Sequence, residues 1–194
     1  PKYVLLLNDL INKFPVVHNS DYSKLVAFQV NNQKPIHRWF KYKQGYSANL
    51  IELILKKEKP EKSDYVLDPF TGVGTTNTAA QDMGYNSIGY DINPVAAFAA
   101  EVKTNKYSNS DILKIKKILD NFIPTQSHSI PDTPMLKRSF SSESFRQLID
   151  IKGYFETITN KKIQSFFKLA YISIIEDCSN RVKDGNGIKI VKNK

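Results

Sequence analysis

A chain of 194 residues, 41% hydrophobic and 24% charged, is long enough for one domain with a real core and too short for two. It has no apolar run near the roughly 20 residues of a membrane span, and its N-terminal PKYVLLLNDLINKF lacks a small-residue cleavage site, so a soluble, cytoplasmic protein with no membrane partner is expected. One cysteine, Cys178, excludes an internal disulfide and a zinc thiolate pair, and the net charge of +9 sits mostly in residues 101–194, which hold 17 basic and 10 acidic side chains. Such a surface attracts nucleic acid, although lysines that merely solvate helix faces give the same count.

KYVLLLNDLINKF carries apolar residues at helical spacing and reads as an amphipathic helix. The stretch to Tyr46 has no period; with Pro15, Pro35 and the aromatic-basic run HRWFKYKQGY it reads as loop. Ser47 stands where a serine caps a helix, ahead of ANLIELILKK, which Pro60 terminates. DYVLD is a short strand, FTGVG a turn, TTNTAAQDM a helix closed by Gly84, NSIGYD a second strand and VAAFAAEVKT a helix. Strand, glycine turn, helix and strand within about thirty residues make a βαβ unit with parallel neighbours, hence an α/β domain.

Past residue 105 the strand signals fade. SDILKIKKILDNF reads as a helix capped by Ser110 or Asp111, residues 123–142 as a proline-rich loop, and SESFRQLIDI and KIQSFFKLAYISIIED as two more helices. The basic tail NRVKDGNGIKIVKNK reads as weakly structured, with Asp184-Gly-Asn-Gly a polar turn. Three segments follow: residues 1–46 with the N-terminal helix and aromatic-basic loop, 47–110 with the βαβ core, and 111–194 as a helical extension with the basic tail.

In a parallel sheet the ligand lies beyond the carboxyl ends of the strands. Gly72 and Gly74 let the backbone turn tightly and approach a ligand, Asp68 ends the first strand, and Asp91 ends the second, where an acid can accept both hydroxyl hydrogens of a ribose. A phosphate loop would need a lysine after Gly74, where Thr75 and Thr76 stand. A dinucleotide fingerprint would need a third small residue at Asn77, which leaves a nicotinamide dehydrogenase a distant reading. An adenosine-type ligand fits what remains.

VLDPFTGVGTT followed by GYNSIGYDINPVAAFAA resembles the S-adenosylmethionine pocket of the amino-methylating DNA methyltransferases, which act on adenine N6 or cytosine N4. The resemblance implies a Rossmann-like cofactor sheet, with Asp68, Pro69, Phe70, Thr71, Gly72, Gly74 and Thr75 cradling the amino-acid end, Asp91 holding the ribose and Ile92 packing on the adenine. HRWFKYKQGYSANLIELI, residues 37–54, is similar to the family's second cofactor element, with Trp39 in the run and Tyr46-Ser47 at the step. The bland alternative for that run is aromatic anchoring in the core. His37 reads as a structural hydrogen-bonder, and His18 and His128 suggest nothing.

In that family a Pro-Pro-aromatic motif accepts the target amine and stacks on a flipped base. This sequence contains no Pro-Pro, so the resemblance implies a cofactor half without its base-binding half, an incomplete sheet, DNA as substrate, and a second subunit or C-terminal segment carrying the catalytic motif. Arg181, Lys183, Lys189, Lys192 and Lys194 are candidates for DNA backbone contact or plain solvation. A non-catalytic cofactor- or DNA-binding subunit and an RNA methyltransferase are the competing readings.

Overall fold

The computed structural model describes residues 2–14, 20–123, 133–183 and 187–191. His18, His128, Asp184, Gly185, Asn186, Lys192 and Lys194 lie outside the described residues. α1 (Lys2–Lys13) is the expected amphipathic helix, and its apolar side chains, from Tyr3 to Phe14, are exposed. α2 (Ser20–Ser23) and 3-10 turns at Phe28–Gln33 and His37–Trp39 punctuate the aperiodic stretch. Ser47 caps α3 (Ala48–Glu58) by accepting the Asn49 N–H at 3.2 Å.

The βαβ unit forms as its pattern requires. β1 (Tyr65–Asp68) pairs in parallel with β2 (Asn86–Gly89), Leu67 opposite Ile88 and Asp68 opposite Gly89, and α4 (Thr75–Asp82) crosses between them. Gly84 closes α4 at φ 74°, a left-handed position. Asn93 then caps α5 (Pro94–Thr104) with Pro94 in the first turn, where its missing N–H costs nothing.

Five expectations are corrected beyond this point. α6 (Asn109–Asp120) is capped by Ser108, not by Ser110 or Asp111; Asp111 returns the bond to the Ser108 N–H at 2.9 Å, completing a capping box. Part of the expected loop is α7 (Pro134–Ser139), because Pro134 opens a helix there rather than breaking one. α8 (Ser142–Glu156) runs five residues past the apolar pattern that announced it, and α9 (Lys161–Ile174) stops short of the expected Asp177. The tail holds an antiparallel hairpin of β3 (Arg181–Lys183) and β4 (Ile188–Ile190).

The result is a mixed α/β architecture: a two-strand parallel sheet, a separate hairpin and many helices. Its core gathers Val73 from the glycine turn, Ala96, Ala99 and Val102 from α5 and Leu169 from α9, with Trp39, Phe40 and Tyr42 packed against them. Alanines on α5 let α4 and α9 come close. No helix among the described residues is long and apolar enough to cross a membrane.

Candidate functional site

The glycine turn lies at the carboxyl end of β1 and leads into α4, whose residues through Ala80 are buried although four of its first positions are polar. Gly72 and Gly74 both sit at positive φ, 53° and 78°. Their surroundings differ. A Cβ on Gly74 would stand 2.8 Å from the Ala100 Cβ, so this glycine serves the contact of α4 with α5. A Cβ on Gly72 would meet the Tyr42 ring at 3.0 Å, so the aromatic-basic run lies against the turn.

Asp68 is the junction of the two sequence elements. Its Oδ2 accepts the Tyr46 hydroxyl at 2.6 Å and the Thr76 hydroxyl, while its Oδ1 accepts the Phe70 N–H at 3.0 Å. Burial, with the Asp68 hydrogen bond next, pushes the Tyr46 hydroxyl up to about 12, so it remains a donor across neutral pH. Asn31, which no motif singles out, fixes the Tyr46-Ser47 step from the other side: its amide donates to the Tyr46 carbonyl at 2.8 Å and its oxygen accepts the Ala48 N–H at 2.9 Å. Ser47 is fully buried, its N–H on the Leu25 carbonyl at 2.9 Å.

Asp91 braces the turn. One carboxylate oxygen accepts the Gly72 N–H at 2.8 Å and the other the Asn93 N–H at 2.8 Å. A carboxylate offers about four lone-pair sites, so acceptor capacity remains on both oxygens. Beside it Ile92 is wholly exposed and Phe70 is 85% exposed, two apolar side chains flanking the mouth of the turn, with Pro69 exposed between strand and turn. Thr71 and Thr75 are buried.

Asn77, which breaks the dinucleotide pattern, has its own task. Its side chain accepts the Thr71 hydroxyl and donates to the Ser87 hydroxyl at 3.1 Å, tying α4 to both the turn and β2. Gly89 makes room for this, since a Cβ there would stand 2.6 Å from the Asn77 oxygen. Only the strand register reveals that requirement.

Trp39 is placed away from the mouth of the turn. Its ring meets Phe166 edge-on at 5.4 Å and Tyr107 at 6.1 Å, so it anchors the run among α9 and the loop after α5. His37 is buried, and burial together with the nearby Lys103 and Lys34 holds its imidazole down at about 4, neutral at physiological pH.

Residues 13–101 match the family model described as DNA methylase. The Type II methyltransferase M.BsoBI of Geobacillus stearothermophilus is 31% identical over 174 residues, covering 86% of this chain and 33% of that protein. M.MjaII of Methanocaldococcus jannaschii is 33% identical over 161 residues, 76% of this chain and 30% of that protein. M.AvaI of Anabaena variabilis is 28% identical over 190 residues, 89% and 37%. The chain thus spans about a third of the length of these relatives. No solved structure matches it. Through residues 13–101 the chain belongs to the DNA methylase family.

Proposed function

We propose, from that membership, that this chain is the cofactor-binding portion of an S-adenosylmethionine-dependent DNA methyltransferase acting on an exocyclic amino group, adenine N6 or cytosine N4, in a restriction-modification system. Use of S-adenosylmethionine is general in the family; when bound, it supplies a methyl group carried on a sulfonium sulfur. The observation that carries the reading is the Asp68 junction, where Tyr46 of the upstream element and Thr76 of the glycine turn meet on one carboxylate. Two segments about twenty residues apart in sequence are thereby built into one site.

The residues present fit the group. Asp91 keeps free lone pairs for two ribose hydroxyls after bracing the turn, and the exposed Ile92 offers an apolar face for the adenine. The first residues of α4 lie at a helix N-terminus beside the turn, suited to an anionic end. Phe70, Thr71, Gly74 and Thr75 complete the cradle, with Pro69 and Asp68 setting its entry. Tyr46 and Ser47 act behind it, positioning Asp68 and α3, and Trp39 holds the run in place.

Methyl transfer also needs a base taken out of the stack and its amine aimed at the sulfonium methyl. We assign that task to a segment outside residues 1–194, in the same polypeptide or a second subunit, acting on DNA. The outer face of the parallel sheet supports this: Tyr65, Leu67, Ile88 and Tyr90 stand exposed, whereas parallel sheets are covered on both faces. The sheet is then an incomplete Rossmann-like one.

Calorimetric titration with S-adenosylmethionine, with NAD as the control ligand, tests the reading. Binding of the former alone is expected, and Asp91→Asn, which keeps the shape but replaces one acceptor by a donor, should weaken it about tenfold or more, roughly the loss of a charged hydrogen bond. NAD binding, or an Asp91→Asn chain of unchanged affinity, would overturn it.

A further inference from the structure

α6 and the corner where α8 passes into α9 enclose an open cleft of about 660 Å³, the size of a ligand site, built wholly from residues beyond the 13–101 span that matches the family. Its floor is apolar: Ile163 is 1% exposed, with Ile118 and Ile158 half-buried beside it. Its walls are pinned twice. The Tyr154 hydroxyl donates to the Ile118 and Asn121 carbonyls at 3.2 and 3.3 Å, holding α8 on the last turn of α6, and the Lys162 ammonium donates to Asp111, holding α9 on the first. The shape is set before anything enters.

The rim is cationic. Lys114 and Lys117 stand three residues apart on α6, hence on one face, and both are exposed. No carboxylate lines the cleft among the described residues, and neither lysine has an ion-pair partner there. Asp111 and Glu156, on the elements that form it, are paired with Lys162 and Lys152. The other polar groups are turned onto the backbone: the Asn121 amide donates to the Lys117 carbonyl at 2.7 Å, the Thr157 hydroxyl to the Tyr154 carbonyl at 2.7 Å, and the Asn160 oxygen accepts the Ile163 N–H at 3.1 Å. The two ammoniums and the exposed Thr159 hydroxyl remain to meet an occupant.

Charge and shape together narrow that occupant. A free phosphate would meet the lysines and leave the isoleucine floor facing water, and an apolar ligand would leave the ammoniums unanswered. A nucleic-acid strand alternates anionic phosphates with the carbon edges of its sugars and answers both. The net charge of +9, with 17 basic against 10 acidic side chains in residues 101–194, favours a polyanion over a short acidic peptide. We propose that this cleft is a DNA backbone site, in which the Lys114 and Lys117 ammoniums hold successive phosphates of one strand and Ile118, Ile158 and Ile163 pack against the sugar between them. The proposal rests on the reading of DNA as substrate. It puts a grip on the duplex in the helical extension, apart from the glycine turn, where it fixes the register of the DNA without reading its sequence.

Fluorescence anisotropy of a short labelled DNA duplex, titrated with the whole 194-residue chain over a series of salt concentrations, is the test. The chain should bind, and Lys114→Gln with Lys117→Gln should weaken binding about tenfold or more at low salt and lower the slope of log K against log salt by about two, one for each phosphate released. Lys56→Gln with Lys57→Gln removes the same charge from exposed positions on α3 and should leave that slope unmoved. All four side chains are exposed, so both double variants should keep the helical circular dichroism of the parent. No binding at low salt, or equal losses in the two double variants, would overturn the proposal. Tighter binding of an RNA duplex, or displacement of the DNA by poly-glutamate or by a mononucleotide at equal phosphate or carboxylate concentration, would overturn DNA as the occupant. Calorimetry with S-adenosylmethionine keeps the two readings apart: a chain that binds DNA with the stated slopes but no cofactor loses the cofactor reading alone, and one that binds cofactor with unmoved slopes loses this site alone.

Discussion

α4 and the outer face of β1 and β2 lie on opposite sides of the same two strands, and they invert the usual placing of side chains. On the α4 side polar residues are inside: Thr75, Thr76, Asn77 and Thr78 are buried. On the other side apolar residues are outside, with Leu67 62% exposed. The α4 side is complete, because α3, both strands and α5 surround the helix and the Thr71, Asn77 and Ser87 side chains satisfy one another. Among the described residues nothing covers the outer side, where Tyr65, Leu67, Ile88 and Tyr90 stand exposed. The contrast separates what this chain folds by itself from what it offers to another segment.

The largest test of that contrast is at Gly74. Alanine there must hold φ near 78° and meet Ala100 at 2.8 Å, so left-handed strain and overpacking add to about 3 kcal/mol of lost stability, measured by urea unfolding. Gly84→Ala is the control. It shares the positive φ, but its nearest neighbour is the flexible Lys62 ammonium at 3.6 Å, so only the conformational part, about 1 kcal/mol, should appear. Equal costs at the two glycines would mean that the contact of α4 with α5 is looser than the geometry implies.

A second test uses pH. Burial holds Lys103 down at about 8 from an ordinary 10.5, so between these values the unfolded chain binds more protons than the folded one and stability rises with pH. A gain of up to about 3 kcal/mol across that window is expected, and Lys103→Met should flatten it while leaving the chain more stable at neutral pH. His37 adds a slope at the acid end. Its folded value of about 4 lies below the ordinary 6.5, so stability is full above 6.5 and declines as pH falls toward 4.

These particulars show how far the sequence could be read. The βαβ unit and the helix after it were legible because their signals are local: glycines at the left-handed positions of the turn and after α4, an acid at or just beyond each strand end, and Asn93 capping α5. Asp68 and Asp91 are singled out by position alone, but that each is already engaged by backbone or hydroxyl donors depends on chain folding back over it. Asn31, Tyr42, Gly89 and Lys103 carry no motif; each matters through a partner at least fourteen residues away in sequence, or through strand register. α7 was hidden because a proline can open a helix as well as end one, and the hairpin because three-residue strands leave too few positions to show alternation. The four residues beyond the capping serine of α6 held two further candidates, and the reciprocal bond between Ser108 and Asp111 settles the choice.

Thr78 offers a smaller effect of opposite sign. Its hydroxyl is buried in α4 with no hydrogen-bond partner among the described residues, the one loose end on the completed side. Thr78→Val keeps the branched shape and removes the unsatisfied group, so a gain of about 1 kcal/mol in urea unfolding is expected. A loss would mean that the hydroxyl is satisfied by water inside the helix cluster.

The smallest expected effect is the most informative about the other side. Leu67→Glu adds a charge to a side chain already exposed, next to Tyr65 and Ile88, and should change the stability of this chain by no more than about 0.5 kcal/mol. The same substitution places an unpaired carboxylate in the middle of the face that the proposed base-binding segment would cover, where burial makes it costly. The comparison is with a chain to which a base-binding segment has been joined: there Leu67→Glu should cost several kcal/mol, while residues 1–194 alone are unmoved. If both chains tolerate the glutamate equally, the outer face stays in water even beside that segment, and the sheet needs no further cover to work.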